Sequence, residues 1–390
     1  MPSRFSQRTN WPLSSNVITS TLNKLREQKV SVLDLTESNP THCRFEYFNK
    51  KFLSSLAKPA NLDYEPHPQG LLKAREAVRE YYKRKGKDVA LDRIFLTAST
   101  SEAYSYLFRL LANPQEEILF PAPSYPLFQF LVDLNDLQMG HYQLQYEEEW
   151  SIDFEDLKSK LSPLTKAIVA VNPNNPTGSF IKREELVKLN TICRENNLSI
   201  VADEVFTDFV FKKGGQSLVG NNEVLTFVLG GISKTLGLPQ MKLAWIVLNG
   251  PEDLVKMARE RLEVIADTYL SVATPVQNAL ADWLALQESV QKEIKDRLER
   301  NLNFLKKKVK DNTAIQLFSP EGGWYAVLRI PAVKTEEEWI LDFLAKDHVF
   351  VHPGYFFDFA EEAHLVLSLL PSSEVFEEGV KRVLRRVKAI

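Results

Sequence analysis

From Ile94 onward the chain alternates short apolar runs with stretches whose apolar residues recur every three or four positions. The runs Ile94–Thr97, Glu117–Phe120, His141–Gln145, Ala167–Val171, Ser199–Ala202, Thr226–Gly230 and Ala244–Leu248 have the length and apolar content of buried strands. Between them, Ser101–Leu111, Tyr125–Leu134, Ile152–Leu161 and Arg183–Asn196 carry the helical period. A parallel sheet needs helical crossovers that cover both of its faces, so its strands read as continuous apolar runs. The pattern therefore predicts an α/β fold: a mainly parallel seven-stranded sheet sandwiched by helices.

The pattern changes near residue 285. A long helix follows, with Val290, Ile294, Leu298, Leu302, Leu305 and Val309 on one face. After it come strand-like Ile315–Phe318 and Trp324–Ile330, a helix over Glu336–Lys346, strands Val349–His352 and His364–Leu370, and a closing helix from Ser373. This predicts a smaller α+β domain over 286–390, beside a large domain over 46–285. Residues 1–45 read as an arm that packs with the small domain. Within the arm, Ser31–Leu35 is a short strand that runs into Glu37-Ser38-Asn39-Pro40. A Pro/Gly-rich loop, Tyr64 to Gly70, feeds an amphipathic helix over Leu71–Lys83.

Composition narrows the class. A chain of 390 residues with 44% hydrophobic and 25% charged residues is an ordinary globular protein with room for two domains. A net charge of −3 gives no basic footprint for nucleic acid. No apolar run approaches the roughly 18 residues of a membrane span, and no signal-peptide core precedes Thr21. Cys43 and Cys193 form no redox or metal motif, and the six histidines have no ligand spacing. The expectation is a cytoplasmic protein with neither metal nor disulfide.

The candidate chemistry lies where predicted strands end in polar residues, since an open α/β sheet binds ligands beyond the carboxyl ends of its strands. Lys234 stands among glycines and small residues in Gly230-Gly231-Ile232-Ser233-Lys234-Thr235-Leu236-Gly237-Leu238-Pro239. A lysine at a buried strand end loses hydration, which lowers its pKa and frees neutral amine to attack a carbonyl. Asp203 continues the run Ser199–Ala202, and a buried carboxylate calls for a cationic partner such as a protonated pyridine nitrogen. Asn172-Pro173-Asn174-Asn175-Pro176-Thr177-Gly178 holds Asn175 rigidly as a donor. Ala98-Ser99-Thr100-Ser101-Glu102 opens a helix whose free N–H groups attract an anion, and Ser99 with Glu102 also spells a capping box. Pro121-Ala122-Pro123-Ser124-Tyr125-Pro126 puts an aromatic ring at another strand tip. An amine for a carbonyl, an acid for a pyridine, an anion site and a flat ring describe pyridoxal 5′-phosphate.

Taken jointly, Ser-Lys-Thr-x-Gly-Leu-Pro, Asn-Asn-Pro-Thr-Gly, Asp-Glu-Val, Pro-x-Pro-x-Tyr-Pro and Thr-Ser-Glu-Ala resemble the class I/II aminotransferases of the aspartate aminotransferase superfamily, fold type I enzymes. The likeness runs from Tyr64 to the last strand. It implies Lys234 as the Schiff-base lysine, Asp203 as partner of the pyridine nitrogen and Asn175 as donor to the ring oxygen. Tyr125 would stack on the ring, with Ser99, Thr100 and Ser233 at the phosphate. Tyr64 would reach the phosphate of a neighbouring subunit, which implies a homodimer with composite sites. The substrates implied are an amino acid and a 2-oxo acid.

Three positions depart from the family pattern. Phe206 replaces the usual tyrosine that bonds the ring oxygen. Lys242 replaces the phosphate-binding arginine and keeps only its charge. Val366 stands where an arginine grips the substrate carboxylate, which leaves Ser38 and Asn175 as substitutes. These departures keep a β-lyase or oxidase open. A non-catalytic cofactor-binding sensor is a more distant reading, since nothing before residue 45 reads as a DNA-binding segment.

Overall fold

The computed structural model describes residues 4–46, 50–212, 214–310 and 313–389. Its main sheet runs in the spatial order Ile94–Thr97, Ala244–Asn249, Thr226–Gly231, Ser199–Asp203, Thr165–Val171, Glu117–Ala122, Gln138–Tyr146, Trp150–Ile152. Five neighbouring strands, from Thr226–Gly231 to Gln138–Tyr146, are parallel. Ala244–Asn249 runs antiparallel to both of its neighbours. All seven expected strands are present, and an eighth, Trp150–Ile152, extends the edge as an antiparallel hairpin.

The two faces of this sheet feed two separate cores. Ile168, Ala170, Ile200, Ala202 and Val228 join one cluster, whereas Ala167, Val169, Val201, Phe227 and Leu229 join the other. Period-two alternation with both faces apolar is what a sheet covered on both sides requires. Helices Thr100–Leu111, Phe128–Leu134 and Glu252–Tyr269 cover the second face through Leu107, Phe108, Val132 and Leu262. Leu72–Arg84, Arg183–Glu195 and Thr274–Ala285 cover the first through Val78, Leu189 and Leu280. Each fully buried Val, Leu or Ile contributes about 1.5–3 kcal/mol.

Two predicted helices start later than expected, for local reasons. Tyr125 precedes Pro126, which disfavours the helical region, so the helix begins at Phe128. Ile152 pairs with Leu144 in the edge hairpin, and Asp153 caps the following helix Phe154–Lys160 by accepting from the Glu155 and Asp156 amides at 3.0 Å each. Helices Glu252–Tyr269 and Thr274–Ala285 were not expected.

A second sheet has the order Gln316–Phe318, Tyr325–Arg329, His364–Ser368, His352–Pro353, all antiparallel. The long helix Gln287–Lys310 buries all six residues of the predicted stripe. Leu33–Asp34 pairs in parallel with Val349–Phe350, tying the N-terminal segment to the small sheet. The small sheet is also pinned to the large one. The Glu321 and Gly322 amides donate to the Gly178 carbonyl at 3.1 and 2.9 Å. Gly178 has φ +73°, and a Cβ there would lie 2.5 Å from the Gly322 carbonyl oxygen, so the contact requires glycine.

Candidate active site

The parallel strands Thr165–Val171, Ser199–Asp203 and Thr226–Gly231 end side by side, with Val171 opposite Asp203 and Asp203 opposite Leu229. Each then delivers one polar residue to the same edge. After Thr226–Gly231 the chain makes one helical turn, Ile232–Thr235, which carries Lys234. Gly230 lets that strand pass over Trp245, whose indole nitrogen would sit 2.5 Å from any Cβ there. The Lys234 amine lies 4.8 Å from the ring centre of Trp324 and 5.3 Å from that of Phe206. Burial lowers its pKa to about 8, against the pull of Asp203.

Asp203 is buried at the end of its strand. Burial raises its pKa to about 6, opposed by the Val205 amide at 3.2 Å, the Tyr104 phenol at 3.0 Å and the nearby Lys234. Among the described residues the one side chain that hydrogen-bonds it is thus a neutral phenol. Tyr104 comes from helix Thr100–Leu111 and went unnoticed in the sequence, where it looks like one more core aromatic.

The Asn172–Gly178 turn is held from several sides. The Asn172 amide donates to the Asp203 carbonyl at 2.8 Å, and its side-chain oxygen accepts from the Ile181 amide at 3.0 Å. Asn174 donates to the Pro123 carbonyl at 3.0 Å, which joins this turn to the Pro121–Pro126 loop. Both Asn–Pro bonds and Ala122–Pro123 are cis. Asn175 is buried, yet its side-chain oxygen has no partner among the described residues, and neither does the Ser124 hydroxyl. Buried polar groups are rarely left unpaired, so both atoms are free to take a further polar partner.

Ser99 caps helix Thr100–Leu111 by accepting from the Glu102 amide at 3.1 Å, as the capping pattern predicts. The Glu102 carboxylate reaches back to the Ala98 amide at 2.7 Å rather than to Ser99 itself. The first amides of the helix have no intrahelical acceptor and face outward with the positive end of the helix dipole. Thr100 and Ser233 are half-buried. Tyr125 packs edge-on against Phe128 at 5.8 Å, and burial, with the charge of nearby Asp203 adding to it, raises its pKa.

The residues with departures fall as follows. Phe206 faces the lysine and meets Trp324 edge-on at 5.4 Å. Lys242 is exposed in a left-handed conformation, φ 51°, after the turn Pro239–Met241. Val366 is fully buried in a cluster with Trp150, Phe318, Val327 and Phe357. Tyr64 stands apart from Lys234 on the outer surface, 71% exposed, on the rim of a cavity shared with Ser271 and Gln277. Ser38 is half-buried in the N-terminal segment. Trp324 and Tyr325 are site residues that the sequence presented only as part of a strand; the Gly322-Gly323 step before them was the available signal.

The arrangement is matched by known proteins. The family model for aminotransferase class I and II covers residues 30–383. Glutamate-pyruvate aminotransferase of Escherichia coli K12 is 28% identical over 371 residues, which is 93% of this chain and 92% of the relative. Alanine aminotransferase of Mycobacterium tuberculosis is 26% identical over 81% of this chain and 76% of its own. The solved alanine aminotransferase of Pyrococcus furiosus superposes with a TM-score of 0.89 at 27% identity, over 99% of this chain and 100% of that one. The chain belongs to the class I and II aminotransferases, enzymes that move amino groups with pyridoxal 5′-phosphate.

Proposed function

We propose that Lys234 is the residue that binds the cofactor covalently and then moves the substrate's proton. The observation that carries this reading is an amine depressed to about 8, enclosed by Trp324 and Phe206, at the strand edge it shares with Asp203. Near neutral pH such an amine is partly neutral and able to attack a carbonyl; once released it is a base of suitable strength for a Cα proton. Asp203 would hold a proton on the pyridine nitrogen, and the cation would stabilise its buried charge in return. When bound, the cofactor supplies the electron sink that makes the Cα–H bond acidic. Asn175, with its unpaired side-chain oxygen, supports a polar contact at the ring, for which a half-turn of the amide presents the nitrogen. Tyr125 would lie along the ring face. Ser99, Thr100, Ser233 and Lys242 would gather at the phosphate, beside the free end of helix Thr100–Leu111. Trp324 and Phe206 partly shield the half-buried amine from water.

The reaction follows from the family: an amino acid gives its amino group and a 2-oxo acid receives it. The named relatives support small substrates such as alanine, glutamate and pyruvate. Loaded protein given alanine should form pyruvate beyond one equivalent only when a second 2-oxo acid is present. Steady pyruvate and ammonia from alanine without that acceptor, with oxygen consumed, would point to an oxidase, and the same products from an amino acid carrying a β leaving group would point to a lyase.

Tyr104 should tune Asp203. Its phenol holds the Asp203 pKa down, so Tyr104→Phe raises it further. The carboxylate is then lost at a higher pH as acidity increases, and cofactor binding should weaken from that higher pH downward. The cofactor dissociation constant of both proteins, measured between pH 5 and 8, checks this. Identical curves would leave Tyr104 as packing alone.

The surface supports a homodimer. Tyr64, Leu62 and Leu270 are 71%, 91% and 57% exposed near the outer cavity, an apolar group of the kind a partner covers. Sedimentation should give about twice the 44.6 kDa of one chain, and Tyr64→Phe should weaken cofactor retention about tenfold if its hydroxyl meets a partner's phosphate. No described helix is long and apolar enough to cross a membrane. Among the described residues no group of His, Cys, Asp and Glu is arranged to hold a metal ion.

A further inference from the structure

Trp324, the ring against which the Lys234 amine lies, follows two glycines, Gly322 and Gly323. Glycine has the least backbone preference of any residue, so this step cannot aim the indole by itself. Its position is set by contacts with loops of the main sheet. The Gly323 amide donates to the Phe209 carbonyl at 2.8 Å, and Gly322 forms an isolated antiparallel bridge with Val210. Gly322 is wedged so closely that a Cβ there would lie 2.4 Å from the Phe209 carbonyl oxygen and 2.7 Å from the Phe180 ring. Trp324 is fully buried just beyond, edge-on to Phe206 at 5.4 Å and to Phe209 at 5.2 Å.

The residue before the glycines holds this arrangement together. Glu321 is buried, and both of its carboxylate oxygens are engaged. Its Oε1 accepts from the Lys182 ammonium at 2.9 Å, and its Oε2 accepts from the Phe180 amide at 3.1 Å. The Glu321 carbonyl accepts from the Phe211 and Lys212 amides at 2.7 and 3.0 Å. Lys182 also donates to the Trp150 carbonyl at 2.5 Å, which brings in the edge hairpin. Glu321 thus gathers the segment after the Asn175 turn, the segment after Phe206 and the segment that leads to Trp324. The ionic bond has the most leverage among these contacts. Charge-assisted hydrogen bonds are about twice as strong as neutral ones, and a buried charge deprived of its partner is strongly destabilising.

We propose that Glu321 and Lys182 form a positioning clasp that holds Trp324 against the Lys234 amine and ties it to the segments carrying Asn175 and Phe206. The clasp acts through the indole. When it opens, the Gly322-Gly323 step is released, the ring withdraws and water reaches the amine from that side. Asp203 is the charge that acts on Lys234, and it favours the ammonium; loss of hydration on the aromatic side opposes it. Loss of the clasp therefore shifts the balance toward the ammonium, which cannot attack a carbonyl. The inference rests on the proposed role of Lys234 for its consequence in catalysis, but its physical claim concerns the amine alone.

Competitive labelling of the cofactor-free protein with acetic anhydride, read on the Lys234 peptide by mass spectrometry, measures that balance without cofactor or substrate. The wild-type rate should be half-maximal near pH 8. Glu321→Gln should move this midpoint up by about one pH unit, so that the neutral fraction at pH 7 falls about tenfold. Lys182→Met should move it the same way but less, because the bond to the Phe180 amide remains. The double variant should shift no further than Glu321→Gln, as coupled residues do. Val327→Ala loosens the same small sheet away from the clasp and should leave the midpoint in place. Unchanged midpoints in Glu321→Gln and Lys182→Met overturn the proposal, and so does an equal shift in Val327→Ala, which would make the effect general loosening. A wild-type midpoint near the ordinary 10.5 overturns it too, since the indole would then shield nothing. If Glu321→Gln does not fold, Lys182→Met decides alone. If the midpoints move as expected but borohydride fixes no cofactor on Lys234, the clasp stands and the proposed role of Lys234 fails.

Discussion

Lys234→Ala should abolish amino transfer, with kcat down by at least about 10⁴, since both the covalent anchor and the general acid–base group are removed together. No neighbour can substitute. Lys242 is exposed on the far side of the Pro239–Met241 turn, and Lys85 is committed to Asp208 at 2.6 Å. Added methylamine should restore part of the proton transfer but not the anchor. The same residue carries a pH signature. With a pKa of about 8, its neutral fraction grows about tenfold per pH unit below that value and levels off above it. The rate of covalent cofactor attachment to the cofactor-free protein should follow this curve in a stopped-flow experiment. Borohydride reduction of the loaded wild type should fix the cofactor on the peptide containing Lys234, and recovery on Lys242 would overturn the assignment.

If Asp203 pairs with the pyridine nitrogen as proposed, Asp203→Asn should cost about 10²–10⁴ in kcat, since removing one partner of a buried ion pair costs about 3–5 kcal/mol. The effect on the fold has the opposite sign. In the cofactor-free protein the Asp203 pKa is raised from 3.8 to about 6, so the folded state binds more protons than the unfolded state between those values. Stability from this group is therefore full below pH 3.8 and is lost as pH rises through about 6. At neutral pH the buried carboxylate is a liability that asparagine, of nearly equal shape, relieves. Cofactor-free Asp203→Asn should unfold at a temperature no lower than wild type at pH 7, while the loaded variant loses turnover. A variant less stable than wild type at pH 7, with turnover retained, would make Asp203 a structural residue and deny it the pyridine role.

The departures at Phe206 and Val366 acquire a shared explanation in the structure. Phe206 and Trp324 form an apolar wall beside the amine, and Val366 continues an apolar cluster one rung from Tyr325. The half-buried amine lies against this aromatic wall, and the loss of hydration there holds the lysine pKa down.

The strand and helix alternation was legible from residues alone because it rests on local periodicity, and the strands buried on both faces leave no polar alternation to confuse it. Lys234, Asp203 and Asn175 were legible for a related reason: each sits where a buried run ends in turn-forming residues, and a polar residue at such a point is conspicuous. The starts at Phe128 and Phe154 were misread because an apolar residue beside a proline or a hairpin fits either period. What the sequence could not show is who meets whom across the fold. Tyr104 reaches Asp203 over 99 positions, and its hydroxyl distinguishes it from a core aromatic only once the helix is packed on the sheet. Tyr325 is set opposite Ser368 and edge-on to Phe206 by a strand register that no local period reveals. Local chemistry determined the elements and the reactive residues at their ends; the strand order and the packing of the small sheet against the arm decided the neighbours that set their pKa values and the groups that face the substrate, because those depend on contacts between residues far apart in the chain.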